Sequence, residues 1–242
     1  TDNMAVSGET IDFGPCAFLD EYQPMKVFSS IDAQGRYAYG NQPGIAQWNI
    51  ARLAECLLPL LDENVEKAAE MANGVLADFA GSFPQRWLSG FRQKVGLANQ
   101  EDDDEALVQD LLEQMKLGEV DFTLAFRRLC DAAEGNVEPF RSMFIDLHSI
   151  DTWLARWKER AGREVTSPQE RLVNMRATNP AIIPRNHRIE ELIAVAVEDG
   201  DFEPFHDMLK AIAKPFEELP EFSVYMQPPM GHERVFRTFC GT

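Results

Sequence analysis

Three oxygen-bearing side chains near the start of the sequence have the types and spacing of a magnesium site. Asp2 and Asn3 are adjacent, and Asp12 follows nine residues after Asn3 at the head of an Asp-Phe-Gly sequence. Ser7 and Gly8 lie between them and favour a turn. Magnesium prefers hard oxygen ligands and keeps several waters, so one carboxylate, one amide oxygen and substrate phosphates form a sufficient ligand set. The stretch therefore predicts a magnesium–nucleotide site.

Protein kinases use the same residue types to hold their metal ions. An Asn of the kinase catalytic loop and the Asp of Asp-Phe-Gly bind the ions that bridge the ATP phosphates, and another Asp positions the acceptor hydroxyl. An isolated Asp-Phe-Gly is weak support, because Asx residues beside Gly usually only form turns. The adjacency of Asp2 and Asn3 also differs from the kinase catalytic loop, where Asp and Asn are several residues apart.

A longer series of short motifs strengthens the interpretation. In chain order it reads Thr1-Asp2-Asn3-Met4, Thr10-Ile11-Asp12-Phe13-Gly14-Pro15, Phe18-Leu19-Asp20-Glu21-Tyr22, Gln34-Gly35-Arg36-Tyr37, Asn41-Gln42-Pro43 and Trp48-Asn49-Ile50-Ala51-Arg52-Leu53-Ala54. The series closely resembles the selenoprotein O family, kinase-fold enzymes also known as YdiU-like proteins and once regarded as pseudokinases. The resemblance is thinner through the middle of the chain and returns at Asn179-Pro180, Arg185-Asn186, Gly200-Asp201-Phe202 and the C-terminal Cys240.

The resemblance implies a protein adenylyltransferase that moves AMP from ATP to a Ser, Thr or Tyr hydroxyl of a protein substrate. By matching positions, Asp2 would accept the hydroxyl proton. Asn3 and Asp12 would bind Mg²⁺, or Mn²⁺ in its place, and Asp12 would also contact ATP. The implied fold is kinase-like and mainly α in this portion. It would be the C-lobe, with a loop- and hairpin-rich N-terminal segment carrying the metal site and a helical body behind it.

Two other functions remain open from the residues alone. A protein kinase-type phosphotransferase could use the same metal site. A catalytically inactive pseudokinase could use it to bind nucleotide or to shape an interaction surface. The presence of Asp2, Asn3 and Asp12 together weighs against an inactive site, because a scaffold would not require all three.

Several parts of a kinase-type nucleotide site are missing from this sequence. It has no Gly-rich phosphate loop, no Lys in a Val-Ala-Ile-Lys context and no upstream helix with the Glu partner of that Lys. In the selenoprotein O family, the residues that cradle the triphosphate lie upstream of the motif found here. We therefore expect this chain to be a C-terminal half, to need the N-terminal half of the same protein as its partner, and to be incomplete as a catalyst alone.

Composition and charge narrow the classes of partner. The chain has 242 residues, of which 45% are hydrophobic, enough for a sizeable core in one large or two small domains. Its net charge of −17 disfavours nucleic acid, because an acidic surface repels phosphate backbones. No apolar run is long enough to cross a bilayer, so we expect no membrane association. We expect a cytoplasmic protein in a bacterium, or a mitochondrial one in a eukaryote.

The residue pattern divides the chain into a loop-rich segment over 1–43 and a helical body over 44–242. Apolar residues recur every three to four positions from Ile45 to Leu60, which predicts a buried amphipathic helix. Further helices are predicted at about 64–79, 84–95, 103–116, 121–133, 137–147, 150–161, 168–175, 186–198 and 202–213. Asp121, Ser149 and Asp201 are candidate N-caps, and Pro84 and Pro168 are candidate first-turn residues.

Other suggestive residues have simpler interpretations. Arg36 and Tyr37 could contact nucleotide or substrate, or could belong to a packed loop. The acidic run at 101–105 lacks the ligand pattern of a calcium loop and is interpreted as a solvated helix N-terminus. Trp153 and Trp157 share a helix face, which favours core packing. The four histidines have no metal-ligand spacing, and we assign them no catalytic role.

The four cysteines form no Cys-x-x-Cys pair, which argues against a structural zinc site and a disulfide scaffold. Cys56 and Cys130 lie in apolar helical contexts and are predicted core residues. Cys240 matches the position where some family members carry selenocysteine, and in some relatives that residue pairs with a Cys of the loop after Asp-Phe-Gly. That loop position reads Val27-Phe28-Ser29 here, so Cys16 is the remaining candidate for redox pairing. Pairing requires Cα atoms within roughly 7 Å, and we favour a free thiol at Cys240.

Overall fold

The regular secondary structure of the described part of the protein is helical. The computed structural model describes Ala5, Ser7, Gly8 and residues 18–237. Those residues form ten α-helices: α1 (Gln42–Leu61), α2 (Val65–Lys94), α3 (Asp104–Leu117), α4 (Phe122–Glu134), α5 (Glu138–Arg141), α6 (Leu147–Ala161), α7 (Pro168–Thr178), α8 (Asn186–Glu198), α9 (Glu203–Ile212) and α10 (Ser223–Met226). The mainly α fold class is thereby confirmed. Within the same residues, none of the helices is both long and apolar enough to span a bilayer.

Contacts divide the described residues into two compact units. Residues 24–89 belong to the first unit, which contains α1 and most of α2. Residues 18–23 and 90–237 belong to the second, which contains α3 to α10. The predicted functional division between 1–43 and 44–242 rests on the metal-site motif and stays a prediction.

Helices α3, α4 and α6 supply the core of the second unit through apolar positions spaced three to four residues apart. Trp153 and Trp157 of α6 stack with ring centroids 6.0 Å apart and planes 8° from parallel. Their indole N–H groups donate to the carbonyls of Leu107 and Val95, each at 2.8 Å. The predicted packing of both tryptophans is confirmed. The other large buried side chains of these helices include Val108, Leu111, Met115, Phe126, Leu129 and Ile150.

The acidic run at 101–105 is not a wholly solvated helix N-terminus. Asp104 is fully buried, and its carboxylate accepts a hydrogen bond from Nε of Arg160 at 2.7 Å. Burial alone would lower the pKa of Arg160, but its hydrogen bonds to Asp104 and Glu164 outweigh burial and raise that pKa. The solvated interpretation is therefore wrong for Asp104, because a buried guanidinium requires a carboxylate partner that only the folded chain brings near.

Two helix starts in the second unit agree with the predictions for Asp121 as an N-cap and Pro168 as a first-turn residue. The carboxylate of Asp121 accepts a hydrogen bond from the amide of Leu124 at 2.8 Å and caps α4. Ser167 caps α7 by accepting from the amide of Glu170 at 3.2 Å, and Pro168 occupies the first turn. These short-range hydrogen bonds satisfy amides that have no partner inside the helix.

The start of α6 differs from the prediction. Asp146, not Ser149, is the N-cap, and its carboxylate accepts from the amides of His148 and Ser149, each at 3.1 Å. The helix expected over 137–147 is shortened to Glu138–Arg141, and a non-helical segment separates it from α6.

A smaller apolar cluster joins α8, α9 and α10. The buried members of the cluster are Ala181, Ile182, Leu192, Met208, Ala211, Tyr225 and Met226.

The start of α9 differs from the prediction by one residue. The candidate cap Asp201 lies one residue before the N-cap position, which Phe202 occupies. The Asp201 carboxylate accepts from the amide of Glu203 at 2.9 Å.

Helix α2 is continuous where two helices were predicted. Pro84 lies inside Val65–Lys94 instead of starting a new helix. Proline removes one backbone hydrogen bond, here to the carbonyl of Ala80, and that loss is limited to one turn. Ending one helix and starting another would leave eight terminal N–H and C=O groups without helical partners, because each helix end leaves about four.

Helix α1 confirms the helix predicted from Ile45 but not its burial. Asn49 is the one residue of α1 that is buried in the described structure. Cys56, predicted in the core, is exposed, whereas Cys130 is buried as predicted. Cys56 lies on a face of α1 that the described residues leave open, and helical periodicity cannot show whether a neighbouring element covers such a face.

Candidate functional site

The residues predicted to perform the chemistry lie outside the described part of the chain. They are Asp2, Asn3, Asp12, Cys16 and Cys240. Their roles as proton acceptor, metal ligands and redox pair therefore stay predictions. The structure does describe the turn between the metal-ligand candidates and the segment that follows them.

The chain turns at Gly8, between Asn3 and Asp12. The amide of Gly8 donates to the carbonyl of Ala5 at 3.2 Å. Its φ of 73° lies in the left-handed region that glycine adopts without steric cost. The turn expected between the predicted metal ligands is therefore present.

Residues 18–23, which follow the Asp-Phe-Gly sequence, are fixed to the start of α4 by backbone hydrogen bonds. The amide of Phe122 donates to the carbonyl of Asp20 at 2.7 Å, and the amide of Tyr22 donates to the carbonyl of Val120 at 2.9 Å. These bonds form an isolated antiparallel bridge between Glu21 and Asp121. The chain eight residues beyond Asp12 thus has a defined position in the second unit.

A buried ionic cluster reinforces this attachment. We call Arg185, Asp20 and Asp121 the Arg185 cluster. The guanidinium of Arg185 donates to Asp121 at 2.7 and 3.1 Å, to Asp20 at 2.6 Å and to the carbonyl of Met226 at 3.2 Å. Its side chain is 1% exposed. One buried cation therefore connects the segment after Asp-Phe-Gly, the start of α4 and the end of α10.

The neighbouring carboxylates keep the Arg185 guanidinium in its charged state. Burial by itself lowers the pKa of the Arg185 guanidinium, but the hydrogen bonds and charges of Asp121 and Asp20 outweigh it and raise that pKa. Asp121 also caps α4, so one carboxylate joins the cluster to a helix N-terminus, where negative charge is favourable. The two interactions of Asp121 reinforce each other.

The two side chains that follow Asp20 add further contacts. The ring of Tyr22 stacks on Phe122 with centroids 5.8 Å apart. Burial, followed by the charge of Glu113, raises the pKa of the Tyr22 hydroxyl, so Tyr22 stays neutral. Glu21 pairs with Arg234 at 2.5 Å. The segment is held by apolar, ionic and backbone contacts together.

In the first unit, the loop before α1 is ordered by its own side chains. The carboxylate of Asp32 accepts from the amides of Arg36 and Tyr37, each at 2.8 Å. The guanidinium of Arg36 lies 4.4 Å from the ring centroid of Trp48. Of the two interpretations of Arg36 and Tyr37, the structure supports the packed loop.

The described residues offer no second metal site. Across residues 18–237, with Ala5, Ser7 and Gly8, no group of three or more His, Cys, Asp or Glu side chains could hold a metal ion. A pocket of 310 Å³ opens beside the end of α2 and α7, lined by amides, hydroxyls, apolar groups and the single cation Arg171. Its lining residues include no carboxylate, imidazole or thiol that could act in catalysis.

Comparison with known proteins decides the family. Residues 1–213 match the family model described as "Protein adenylyltransferase SelO". The chain belongs to the selenoprotein O family. This match includes the positions of Asp2, Asn3 and Asp12, and it confirms the resemblance seen in the sequence motifs.

Individual relatives agree with the selenoprotein O assignment. The chain is 74% identical over 242 residues to "Protein nucleotidyltransferase YdiU" of Agrobacterium fabrum (strain C58). It is 54% identical over 244 residues to the protein of the same name from Rhizobium rhizogenes (strain K84), and 51% identical over 243 residues to that from Bradyrhizobium diazoefficiens. Each match covers 100% of this chain but only 49–50% of the relative. The chain spans about half the length of the curated relatives it matches.

Two motif residues of the selenoprotein O resemblance have structural roles that the sequence did not reveal. Asn179 is fully buried, and its side-chain amide donates to the backbone carbonyl of Lys94 at 2.8 Å. The backbone carbonyl of Asn179 accepts from the guanidinium of Arg127 at 3.1 Å. Arg185 forms the centre of the Arg185 cluster. The sequence signal for both residues was their place in the motifs where the family resemblance returns late in the chain. That signal could not identify their partners, which are distant in sequence.

Proposed function

We propose that the full-length protein transfers AMP from ATP to hydroxyl side chains of proteins. The observation that carries the proposal is the selenoprotein O match over residues 1–213, which includes Asp2, Asn3 and Asp12. The family model is described as a protein adenylyltransferase, and the matched relatives are called protein nucleotidyltransferases. The proposed fold is kinase-like, with the described helices in its C-lobe.

The donor set at the start of the chain fits a magnesium ion. Asn3 supplies an amide oxygen and Asp12 a carboxylate, and hard oxygen ligands of this kind suit Mg²⁺ or Mn²⁺. The turn at Gly8 lies between the two residues. When bound, the ion offsets negative charge on the phosphates and on the departing pyrophosphate. Asn3 and Asp12 would hold it, and Asp12 would also contact ATP.

Asp2 has the chemistry of a proton acceptor for the substrate hydroxyl. As the hydroxyl oxygen bonds to the α-phosphorus, its proton passes to the Asp2 carboxylate. The bond from the α-phosphorus to the bridging oxygen breaks, and pyrophosphate leaves. Little else is required of the protein beyond alignment, because positioning and charge stabilisation dominate phosphoryl and nucleotidyl transfer.

The Arg185 cluster fixes the segment that follows the proposed metal ligands in sequence. It fixes Asp20, which lies eight residues after Asp12, through a buried cation and a backbone bridge. A catalytic carboxylate must be held within a fraction of an ångström of its working position, which requires a rigid supporting structure. We therefore assign residues 18–23 the role of a fixed end for the metal-binding segment.

The proposal is tested with ATP labelled at different phosphates. With full-length protein, Mg²⁺ and a protein acceptor, α-labelled ATP should label protein hydroxyls, γ-labelled ATP should not, and pyrophosphate should be released. Mass spectrometry should show the mass of AMP added to Ser, Thr or Tyr. The matched control is Asp12→Ala, which should lose the α-label.

Other outcomes would assign the other two functions. Incorporation of the γ-label without the α-label identifies a kinase-type phosphotransferase, for which the Asp-Phe-Gly sequence is the supporting feature. Retention of ATP binding with neither label incorporated into any acceptor identifies a pseudokinase module.

A further inference from the structure

Helix α1 presents an apolar strip that the described residues leave open. We define the α1 strip as Leu53, Cys56, Leu57 and Leu60. Their spacing of three, four and seven residues from Leu53 places them on one face of the helix. Leu53 is 44% exposed, Leu57 39% and Leu60 82%, and Cys56 is also exposed.

Charged side chains border the α1 strip on one side. Arg52 and Glu55 lie on that side and form an ion pair at 2.5 Å. The guanidinium of Arg52 also lies 5.4 Å from the ring centroid of Trp48. Amphipathic helices in soluble proteins direct their charged side chains to solvent and bury their apolar face.

Helix α1 nevertheless has few fully buried residues. Only Asn49 of its 20 residues is buried in the described structure. Most of the stability of a protein helix comes from packing of its apolar face rather than from helix propensity. A contiguous apolar face of this kind marks an interaction site. The α1 strip therefore requires a cover.

We propose that the α1 strip is the surface on which the remainder of the full-length polypeptide docks. The matched relatives are about twice as long as this chain, which covers 49–50% of each. A second region of similar size in the same polypeptide shares an interface with this one, and such interfaces bury about 600–1,500 Å². Because it is covalently linked, it reaches the strip at a high effective concentration that a separate partner lacks. Coverage of the strip is independent of which nucleotide reaction the protein performs.

The native thiol of Cys56 reports directly on the cover. Full-length protein is pulsed with N-ethylmaleimide, digested and analysed by mass spectrometry of the peptide that contains Cys56. Its labelling should be slower by about tenfold or more than that of a thiol in the charged border of the strip, because a packed thiol reacts only when the interface opens. The matched fast control is Glu55→Cys, one residue away and 54% exposed. Buried Cys130 is the slow reference.

Two labelling outcomes overturn the proposal. One is Cys56 reacting as fast as the thiol of Glu55→Cys, which means that the strip is open in the full-length protein. The other is protection that disappears on dilution, which assigns the cover to a second copy of the chain. Protection that is independent of concentration supports docking within one polypeptide.

A substitution provides a second readout. Leu60→Lys should lower the thermal midpoint of the full-length protein, although Lys is favourable near a helix C-terminus and Leu60 is 82% exposed in this chain. Val165→Lys is the matched control, because Val165 is 86% exposed and lies outside the helices. Equal midpoints for the two variants and the wild type would contradict coverage of Leu60.

Discussion

Arg185 and Asp121 are 64 residues apart in sequence and form a buried bidentate salt bridge, with N···O distances of 2.7 and 3.1 Å. The exposed fraction is 1% for the Arg185 side chain and 7% for that of Asp121. The same guanidinium binds Asp20, in the segment that follows the predicted metal ligands. The stability of the second unit and the placement of that segment therefore depend on one buried cation.

Replacing Arg185 by Met should destabilise the protein by about 3–5 kcal/mol, because removal of one partner leaves buried carboxylates without compensation. The measurement is the free energy of unfolding from urea denaturation of the full-length protein. Asp121→Asn should be milder than Asp121→Ala, because Asn keeps an oxygen that can cap α4.

The matched control for Arg185→Met is Arg156→Met. Arg156 pairs with Asp110 at 2.5 Å, but their side chains are 47% and 51% exposed. Its loss should change stability by less than about 1 kcal/mol. Equal effects of the two substitutions would show that burial of the Arg185 cluster carries no special energetic weight.

Asn3→Ala and Asp12→Ala should each nearly abolish magnesium-dependent nucleotide transfer by the full-length protein while leaving its thermal midpoint largely unchanged. Each variant loses one of the two proposed protein ligands of the ion. Turnover is measured with α-labelled ATP across a magnesium titration. Wild-type turnover with unchanged magnesium dependence in both variants would show that the ligand assignment is wrong.

Asp2→Ala should lower kcat more than it weakens ATP binding. Orienting and deprotonating the acceptor hydroxyl matters mainly in the transition state, whereas ATP binding does not require that proton transfer. The check is a comparison of kcat with the Kd for ATP. A large loss of ATP affinity at unchanged kcat would assign Asp2 to nucleotide binding instead.

His187 should make the protein less stable at mildly acidic pH. It is buried, and neither ring nitrogen has a hydrogen-bond partner among the described residues. Burial, followed by the charge of Arg188, lowers its pKa below the ordinary 6.5. In the unfolded chain His187 gains a proton as the pH falls through 6.5, while the folded protein resists protonation, so this contribution to stability is lost below that pH.

The thermal midpoint should therefore decrease as the pH is lowered from about 8 to about 5.5. His187→Gln should reduce this dependence of the midpoint on pH. His206→Gln is the control, because His206 is exposed. The comparison concerns slopes and not absolute midpoints. An unchanged slope in His187→Gln would exclude His187 as the source of the pH dependence.

Gly96→Ala should destabilise the protein by roughly 1–3 kcal/mol, since it combines a left-handed backbone with overpacking. The φ of Gly96 is 76°, and an added Cβ would lie 2.5 Å from Sδ of Met175. Gly200→Ala is the control, because Gly200 has a similar φ of 67° but no heavy atom within 4 Å of the added carbon. Chemical denaturation should show a larger loss for Gly96→Ala.

Local rules predicted most of the helical content. The three-to-four spacing of apolar residues located α1, α3, α6 and α8 to within a few residues. Asp121 and Pro168 marked the starts of α4 and α7, since a cap or a first-turn proline acts within a single helical turn. The ordered series of short motifs placed the chain in its family, and the family match confirms that inference.

The candidate site was predicted from sequence alone, and its chemistry stays a prediction because Asp2, Asn3 and Asp12 lie outside the described residues. What surrounds it could not be predicted. Arg185 finds Asp20 at a separation of 165 residues and Asp121 at a separation of 64 residues, and no periodicity links them. A pattern can show that a residue is charged, but not which opposite charge will meet it.

The sequence by itself determined the residue types of the proposed metal site, the family and the helical periodicity, because these depend on neighbours a few positions apart. Only the tertiary structure decided that Asp104 is buried against Arg160, that Arg185 connects three distant segments, and that Cys56 faces outward. These outcomes depend on which surfaces are brought together when the chain folds. Burial is a property of the assembled surfaces, and a helix with an apolar face has the same sequence pattern whether or not that face is covered.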